Sequence, residues 1–253
     1  MADNGVVRRV AVVTGGSRGI GAATSRALAS VGWDVCIGFR QDQSAAMSVA
    51  AACEALGART TTARADVSVE DDVLGLFAVA DTLGPVAALV NNAGIVGTKT
   101  RVDAMSRSRV ERMLAVNVIG PFLCAREGVR RMSTHHGGQG GAIVNVSSVA
   151  TRIGSPGEYV DYAASKGALD VMTIGLAKEV AAEGVRVNAV RSGIADTEIH
   201  ASGGQPDRVA RLQSDIPMRR AGRPDEIAAA IVWLCSDEAS YVTGALLDVS
   251  GGR

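Results

Sequence analysis

Tyr162 and Lys166 stand four residues apart in the run Asp161-Tyr162-Ala163-Ala164-Ser165-Lys166-Gly167-Ala168-Leu169. The alanine-rich, proline-free stretch out to Glu183 predicts a helix, and on a helix residues at that spacing share a face. A phenol then sits beside an ammonium. An unperturbed tyrosine, with a pKa of about 10, moves protons poorly near neutrality. A fixed cation beside it favours the phenolate and draws that pKa toward working pH. Tyr162 therefore reads as a general acid or base, with Lys166 as its electrostatic partner. The same spacing also occurs on ordinary exposed helix faces, so the pair alone is weak. Upstream, residues 142–146 read as a buried strand ending at Ser147-Ser148, whose hydroxyls could meet the phenol and bond the oxygen of a carbonyl or alcohol. Serine, tyrosine and lysine together make a proton-handling site that uses neither histidine nor metal.

A second constellation opens the chain. A β-branched strand over 9–13 runs into Thr14-Gly15-Gly16-Ser17-Arg18-Gly19-Ile20-Gly21, followed by an apolar helical pattern to Val31. Strand, glycine turn and helix in this order aim backbone N–H groups and a positive helix terminus at phosphate oxygens. Glycine is needed where a side chain would block that approach. Gly15, Ser17, Arg18, Gly19, Ile20 and Gly21 are the candidate contacts, with Gly15, Gly19 and Gly21 foremost; a purely structural tight turn is the alternative. The next strand, 34–38, leads to Phe39-Arg40, where the ribose of a dinucleotide would lie. An acid there would bond the ribose hydroxyls, but this chain has Arg40, and Arg18 lies in the turn. Two guanidinium groups could converge on a 2′-phosphate, which favours NADP(H), with NAD(H) as the alternative. Against this stand two solvated arginines and a neighbouring carboxylate, Asp42.

Further along, a helix is expected over 44–56 and a strand over 60–64, ending at Asp66-Val67. The carboxylate could accept from an adenine amino group with Val67 against the ring, or it could cap a helix. A helix over 70–82 and a strand over 87–90 lead into Asn91-Asn92-Ala93-Gly94, where small residues let backbone approach ribose and the asparagines pin the turn. Asn117 lies in a long helical segment, 107–131, among Val116, Val118 and Ile119. An amide in such surroundings either satisfies backbone or holds a water near Lys166.

In their order and approximate spacing, the glycine turn from Thr14 to Gly21, Asp66-Val67, Asn91-Asn-Ala-Gly94, Asn117, Ser148 and Tyr162-x-x-x-Lys166 resemble the short-chain dehydrogenase/reductase family over almost the whole chain. The resemblance implies an α/β fold: a Rossmann-like, doubly wound, seven-stranded parallel sheet with helices on both faces. It implies hydride transfer between a nicotinamide and a carbonyl or secondary alcohol, on substrates such as sugars or 3-oxoacyl thioesters. By resemblance Tyr162 exchanges the proton, Lys166 lowers its pKa and binds the nicotinamide ribose, Ser148 polarises the substrate oxygen, and Asn117 supports a relay water. Gly193, Ile194 and Thr197 would hold the nicotinamide end. There the chain departs from the family, with Ser192-Gly193 in place of Pro-Gly, which predicts a looser backbone. The competing class is a nucleotide-binding sensor or scaffold without turnover.

The chain has 253 residues, without a linker or low-complexity tract, which suits one domain over 1–253. Its 26 basic and 26 acidic residues balance, without a long basic block, which argues against nucleic acid or an anionic membrane as main partner. Cys36, Cys53, Cys124 and Cys235 lack metal-ligand spacing and read as reduced core residues. Without a signal-peptide pattern or an apolar run of spanning length, a cytoplasmic protein is expected. Residues 193–222 resemble a mobile substrate loop with Gly203-Gly204 as hinges; His200, Glu158 and Tyr159 read as solvated side chains, with substrate contact as the alternative. Long helices with one face to spare, together with the family resemblance, point to a homotetramer.

Overall fold

A computed structural model describes residues 8–198 and 203–253. Seven strands form one parallel sheet: β1 (Val10–Val13), β2 (Asp34–Phe39), β3 (Thr60–Arg64), β4 (Val86–Asn91), β5 (Gly141–Ser148), β6 (Val185–Ser192) and β7 (Leu246–Val249), in the spatial order β3-β2-β1-β4-β5-β6-β7. β1 is apolar throughout and β2, β4 and β5 are largely so, because helices cover both faces. Along β1 the side chains alternate: Ala11 and Val13 enter one core cluster, Val10 and Val12 the other.

The first cluster is completed by α1 (Gly19–Ser30), α2 (Gln43–Ala55) and a late helix, α9 (Pro224–Cys235), through Leu28, Val49, Ile227 and Ile231. On the opposite face α3 (Glu70–Asp81), α5 (Gly120–Met132) and α7 (Val160–Val180) contribute Phe77, Cys124 and Leu169. Local chemistry sets several boundaries. Three acids, Glu70, Asp71 and Asp72, occupy the first turn of α3, where they complement the helix dipole. Asp42 caps α2 by accepting from the Ala45 N–H at 2.9 Å. Pro224 stands in the first turn of α9.

The expected long helix over 107–131 is divided. α4 (Arg107–Leu114) passes through one π turn, Ala115–Ile119, into α5. The cause is legible in Pro121: it has no N–H, so the carbonyl four residues back, that of Asn117, cannot receive its ordinary helical bond. The functional asparagine candidate thus sits on the one irregular turn of the segment.

The sheet order reverses direction between β1 and β4, and a crevice opens at the carboxyl ends of these two strands. Short elements border it further out: α6 (Ala150–Ile153) after β5 and α8 (Arg208–Leu212) in the 193–222 segment. Gly204, one of the two expected hinge glycines, has a φ of +75°. Residues 199–202, including His200, lie outside the described residues. All four cysteines are buried and unpaired, and burial pushes their thiols up, Cys235 to about 12. Among the described residues no helix is long and apolar enough to cross a membrane.

Candidate active site

The crevice holds a cavity of about 520 Å³ lined, at one end, by the glycine turn and, at the other, by Ser148, Tyr162 and Lys166. Gly15 and Gly19 have φ values of +61° and +53°, in the left-handed region that other residues rarely adopt. The N-terminus of α1 carries no capping side chain and no acid in its first turn, so its N–H groups face the cavity with their positive partial charge intact. Ser17, Arg18, Gly19 and Ile20 line this end. The donor set fits a diphosphate.

The turn is fixed from behind by two side chains. Asn92 donates to the carbonyls of Thr14 and Gly15 at 2.9 and 3.0 Å, while the Thr14 hydroxyl accepts from the Asn92 and Ala93 N–H groups, both at 3.0 Å. Gly21 belongs to this scaffold rather than to the cavity wall: a Cβ there would lie 2.3 Å from the Gly15 carbonyl oxygen and 2.4 Å from Asn92 Nδ2. The expected phosphate contact at Gly21 is therefore corrected to a packing role. Asn91 is corrected likewise. It is buried, and its amide donates to Asn145 Oδ1 at 2.9 Å, under the sheet end rather than into the cavity. Ala93 and Gly94 do line it, and so does Asn92.

At the adenosine end, Arg40, Asp66 and Val67 line the cavity as expected. Asp42 is engaged in its helix cap, and Arg40, at the end of β2, lies 3.8 Å from the Asp66 carboxylate. Asp66 is no helix cap, since Val69 holds that position for α3. Its carboxylate accepts from the Ser68 hydroxyl at 2.6 Å and from Arg112 at 2.8 Å. Burial pushes this carboxyl up, but those two donors outweigh it and hold it below its ordinary value. Arg18 pairs with Glu198 at 3.2 Å across the crevice.

At the other end, β5 delivers Ser148 and α7 delivers Tyr162 and Lys166. The Ser148 hydroxyl lies beside the phenol of Tyr162, where it favours the ionised form, and accepts from the Ala150 N–H at 3.1 Å. Ser147, its neighbour on the strand, donates to the buried Asp170 carboxylate at 2.6 Å. Lys166 Nζ lies 5.8 Å from the centre of the Tyr162 ring and donates to the Val146 carbonyl at 2.7 Å. One of the three ammonium N–H groups is thus committed to backbone. Burial pushes the Tyr162 phenol up, and the Ser148 hydroxyl and the Arg208 charge only partly offset this. The expected lowering by Lys166 is not what this geometry gives. Burial also brings Lys166 down to about 8, against the opposite pull of Asp170.

Asn117 does not line the cavity. Its side chain brackets Ile95, accepting from the Ile95 N–H and donating to the Ile95 carbonyl, both at 2.9 Å, and reaches Ser165 at 3.1 Å. Of the two expected roles for the amide, the structure has it satisfying backbone. A Cβ on Gly94 would lie 3.4 Å from Asn117 Oδ1 and 3.5 Å from Lys166 Nζ, so the two groups meet at that glycine.

Gly193, Ile194 and Thr197 line the cavity between the two ends. Ser192 is not loose. It is the last residue of β6, in register with Ser148 of β5 and Val249 of β7, and its carbonyl accepts from the Val149 N–H at 3.1 Å. Flanking strands supply the restraint that proline supplies through its ring.

The sequence did not disclose Arg112 or Arg208, and it misplaced Glu158 and Tyr159 in solvent. Tyr159 is buried on the cavity wall beneath Arg208, which pairs with Glu158 at 2.7 Å. The only signal was apolar Val160 and Tyr159 immediately ahead of the helix, a pattern too short to read.

A family model described as enoyl-(acyl carrier protein) reductase matches residues 15–253. The uncharacterized oxidoreductase YgfF of Escherichia coli K12 is 54% identical over 96% of this chain and 99% of its own. Glucose 1-dehydrogenase 2 of Bacillus subtilis is 36% identical over 96% and 94%. Among solved structures, acetoin dehydrogenase YohF of Salmonella typhimurium superposes with a TM-score of 0.86 at 34% identity, covering 97% of this chain and 96% of that one. The chain belongs to the short-chain dehydrogenase/reductase family. That is a family of oxidoreductases that use nicotinamide cofactors, acting on alcohol and carbonyl substrates.

Proposed function

We propose that this protein is an NADP(H)-dependent oxidoreductase that interconverts a carbonyl compound and its secondary alcohol, with Tyr162 as the general acid and base. One observation carries the reading: Tyr162 and the Ser148 hydroxyl that acts on its phenol share a cavity with an uncapped helix terminus and two left-handed glycines. Bound there, the nicotinamide would supply or remove hydride. The chain's own residues handle the oxygen. Ser148 donates to the substrate oxygen, and the phenol of Tyr162 gives it a proton as negative charge develops. The raised phenol stays protonated near neutrality, the form an acid requires. Lys166 and Arg208 then face the phenolate left behind. By family resemblance Lys166 also holds the nicotinamide ribose, and the Asn117 carbonyl, denied its helical bond by Pro121, is a seat for a relay water. Relatives named for glucose and acetoin support small polyols, sugars and ketones as substrates, with a 3-oxoacyl thioester as the further candidate.

The direct test follows reduced-nicotinamide absorbance against a panel of carbonyls and alcohols; no turnover with any of them, despite cofactor binding, refutes the proposal. Arg18 and Arg40 line the same cavity and support a 2′-phosphate. Replacing both by alanine should lower the ratio of NADPH to NADH kcat/KM at least about tenfold, since a charge-assisted bond contributes about 1.5–3 kcal/mol. A native enzyme that prefers NADH contradicts the assignment.

A pH dependence follows from Lys166. Its amine is charged below about 8 and neutral above, so the cation facing the phenolate is lost as pH rises. The kcat/KM for carbonyl reduction should fall through that value, and Asp170→Asn should move the break lower, because Asp170 favours the ammonium. A profile flat through alkaline pH would discard this role. A homotetramer belongs to the same proposal: Phe122 on α5 and Val171 on α7 are 53% and 71% exposed, an apolar surface suited to helix pairing. Light scattering tests it.

A further inference from the structure

Beyond the phenol of Tyr162, the cavity wall is formed by Val96, Ile153, Ser155, Tyr159 and Arg208. Arg208 is the one cation of that group. Its side chain is 13% exposed, and its guanidinium carbon stacks 4.8 Å above the Tyr159 ring. Stacking on a ring orients the planar fork while leaving its N–H edges for partners.

One edge is used by Glu158 at 2.7 Å, but Glu158 is shared. Lys99 lies 3.2 Å from it and Arg211 4.0 Å. The other carboxylate nearby on the same helix start, Asp161, is taken by Arg109 at 2.7 Å. Arg109 holds Asp161 to itself, whereas Glu158 is shared by the buried Arg208 and by Lys99 and Arg211, whose side chains are about half exposed, so Glu158 neutralises Arg208 only in part. Leaving charge incompletely paired away from water is costly, and an anionic ligand removes the cost. The surplus is felt at the reacting centre, since the Arg208 charge acts on the Tyr162 phenol.

We infer that the substrate carries a carboxylate, held by Arg208 while its carbonyl or carbinol carbon lies against Tyr162 and Ser148. The enzyme's substrates are then small oxo- or hydroxy-carboxylic acids, with Val96 and Ile153 beside the carbon skeleton. This rests on the proposed role of Tyr162 for the placement of the reacting carbon, and on the charge count alone for the acid. Glu158 positions Arg208, and the Gln205 amide, bonded to the Tyr159 hydroxyl and to Arg211, braces the same cluster.

The test compares matched pairs: 4-oxopentanoate and 5-oxohexanoate, each against its methyl ester, under NADPH. The native enzyme should favour the acid in kcat/KM by at least about tenfold, the size of one charge-assisted bond. Arg208→Gln should bring the acid-to-ester ratio to within about threefold, and Arg208→Lys, which keeps the charge but not the stacked fork, should retain only part of it. If Arg208 served only to fasten the 193–222 segment, acid and ester would fall together with the ratio unchanged, and the inference would be wrong. Equal use of acid and ester by the native enzyme also overturns it while leaving the oxidoreductase proposal standing. Calorimetric titration of the same compounds into protein saturated with NADP+ separates the opposite case. Arg208-dependent binding of the acid over the ester without turnover of either would sustain this inference and remove the proposed catalysis. Binding of acid no tighter than ester removes the inference whatever the turnover.

Discussion

Replacing Tyr162 by phenylalanine is expected to lower kcat by about a thousandfold, in the middle of the range for loss of a positioned general acid. The substitution removes one oxygen, on which the Ser148 hydroxyl acts. The ring, half-buried, keeps its packing. Nothing in the glycine turn, more than a hundred residues earlier in the chain, depends on that oxygen. Cofactor Kd, measured by fluorescence titration, should stay within about threefold, and thermal stability should hold, because a single partly solvated hydrogen bond contributes only about 1 kcal/mol. A variant retaining more than about a tenth of native kcat would show that the proton comes from elsewhere. Ser148→Ala serves as a graded comparison: it removes the donor to the substrate oxygen but leaves the acid, so its loss should be smaller.

Gly21→Val should be the most damaging single change at the cofactor end, although Gly21 does not line the cavity. Its Cβ would stand 2.3 Å from the Gly15 carbonyl oxygen, which is backbone and cannot swing away. Either α1 moves off the sheet or the Gly15 turn opens. Overpacking of this kind typically costs about 1–3 kcal/mol, and a displaced Gly15 spoils the N–H cradle as well. Chemical denaturation should report the first effect, and cofactor titration should show a Kd raised by more than about tenfold. Gly75→Ala is the control: it lies in α3 with nothing within 4 Å of its Cβ, and helix propensity predicts a gain of up to about 1 kcal/mol. If Gly21→Val bound cofactor normally, the turn would be more pliant than its packing implies.

Much of this was legible beforehand because the informative patterns are local. Strand β3 falls on residues 60–64, as expected, since a β-branched run bounded by breakers leaves few other placements. Tyr162, Lys166 and Ser148 meet because one helix and one strand fix their directions. What misled was side-chain direction at element ends. Asn91 and Asn92 are adjacent, so a strand turns them to opposite sides, and only Asn92 reaches the glycine turn. A glycine spacing says that a side chain is excluded at Gly21 but not whether ligand or backbone excludes it. The acidity of Tyr162 was misjudged because spacing gives proximity to Lys166 and says nothing of the Val146 carbonyl that claims the ammonium. Arg208 was invisible, since its helix is five residues long and its partner Glu158 is 50 positions away.

The two ends of the cavity are tied down by separate amides. Asn92 and the Thr14 hydroxyl clamp the glycine turn to the end of β4, whereas Asn117 clamps Ile95 and reaches α7 through Ser165. Because these fastenings share no side chain, a substitution that loosens the hold on α7 leaves the clamp on the glycine turn in place, and the reverse holds as well.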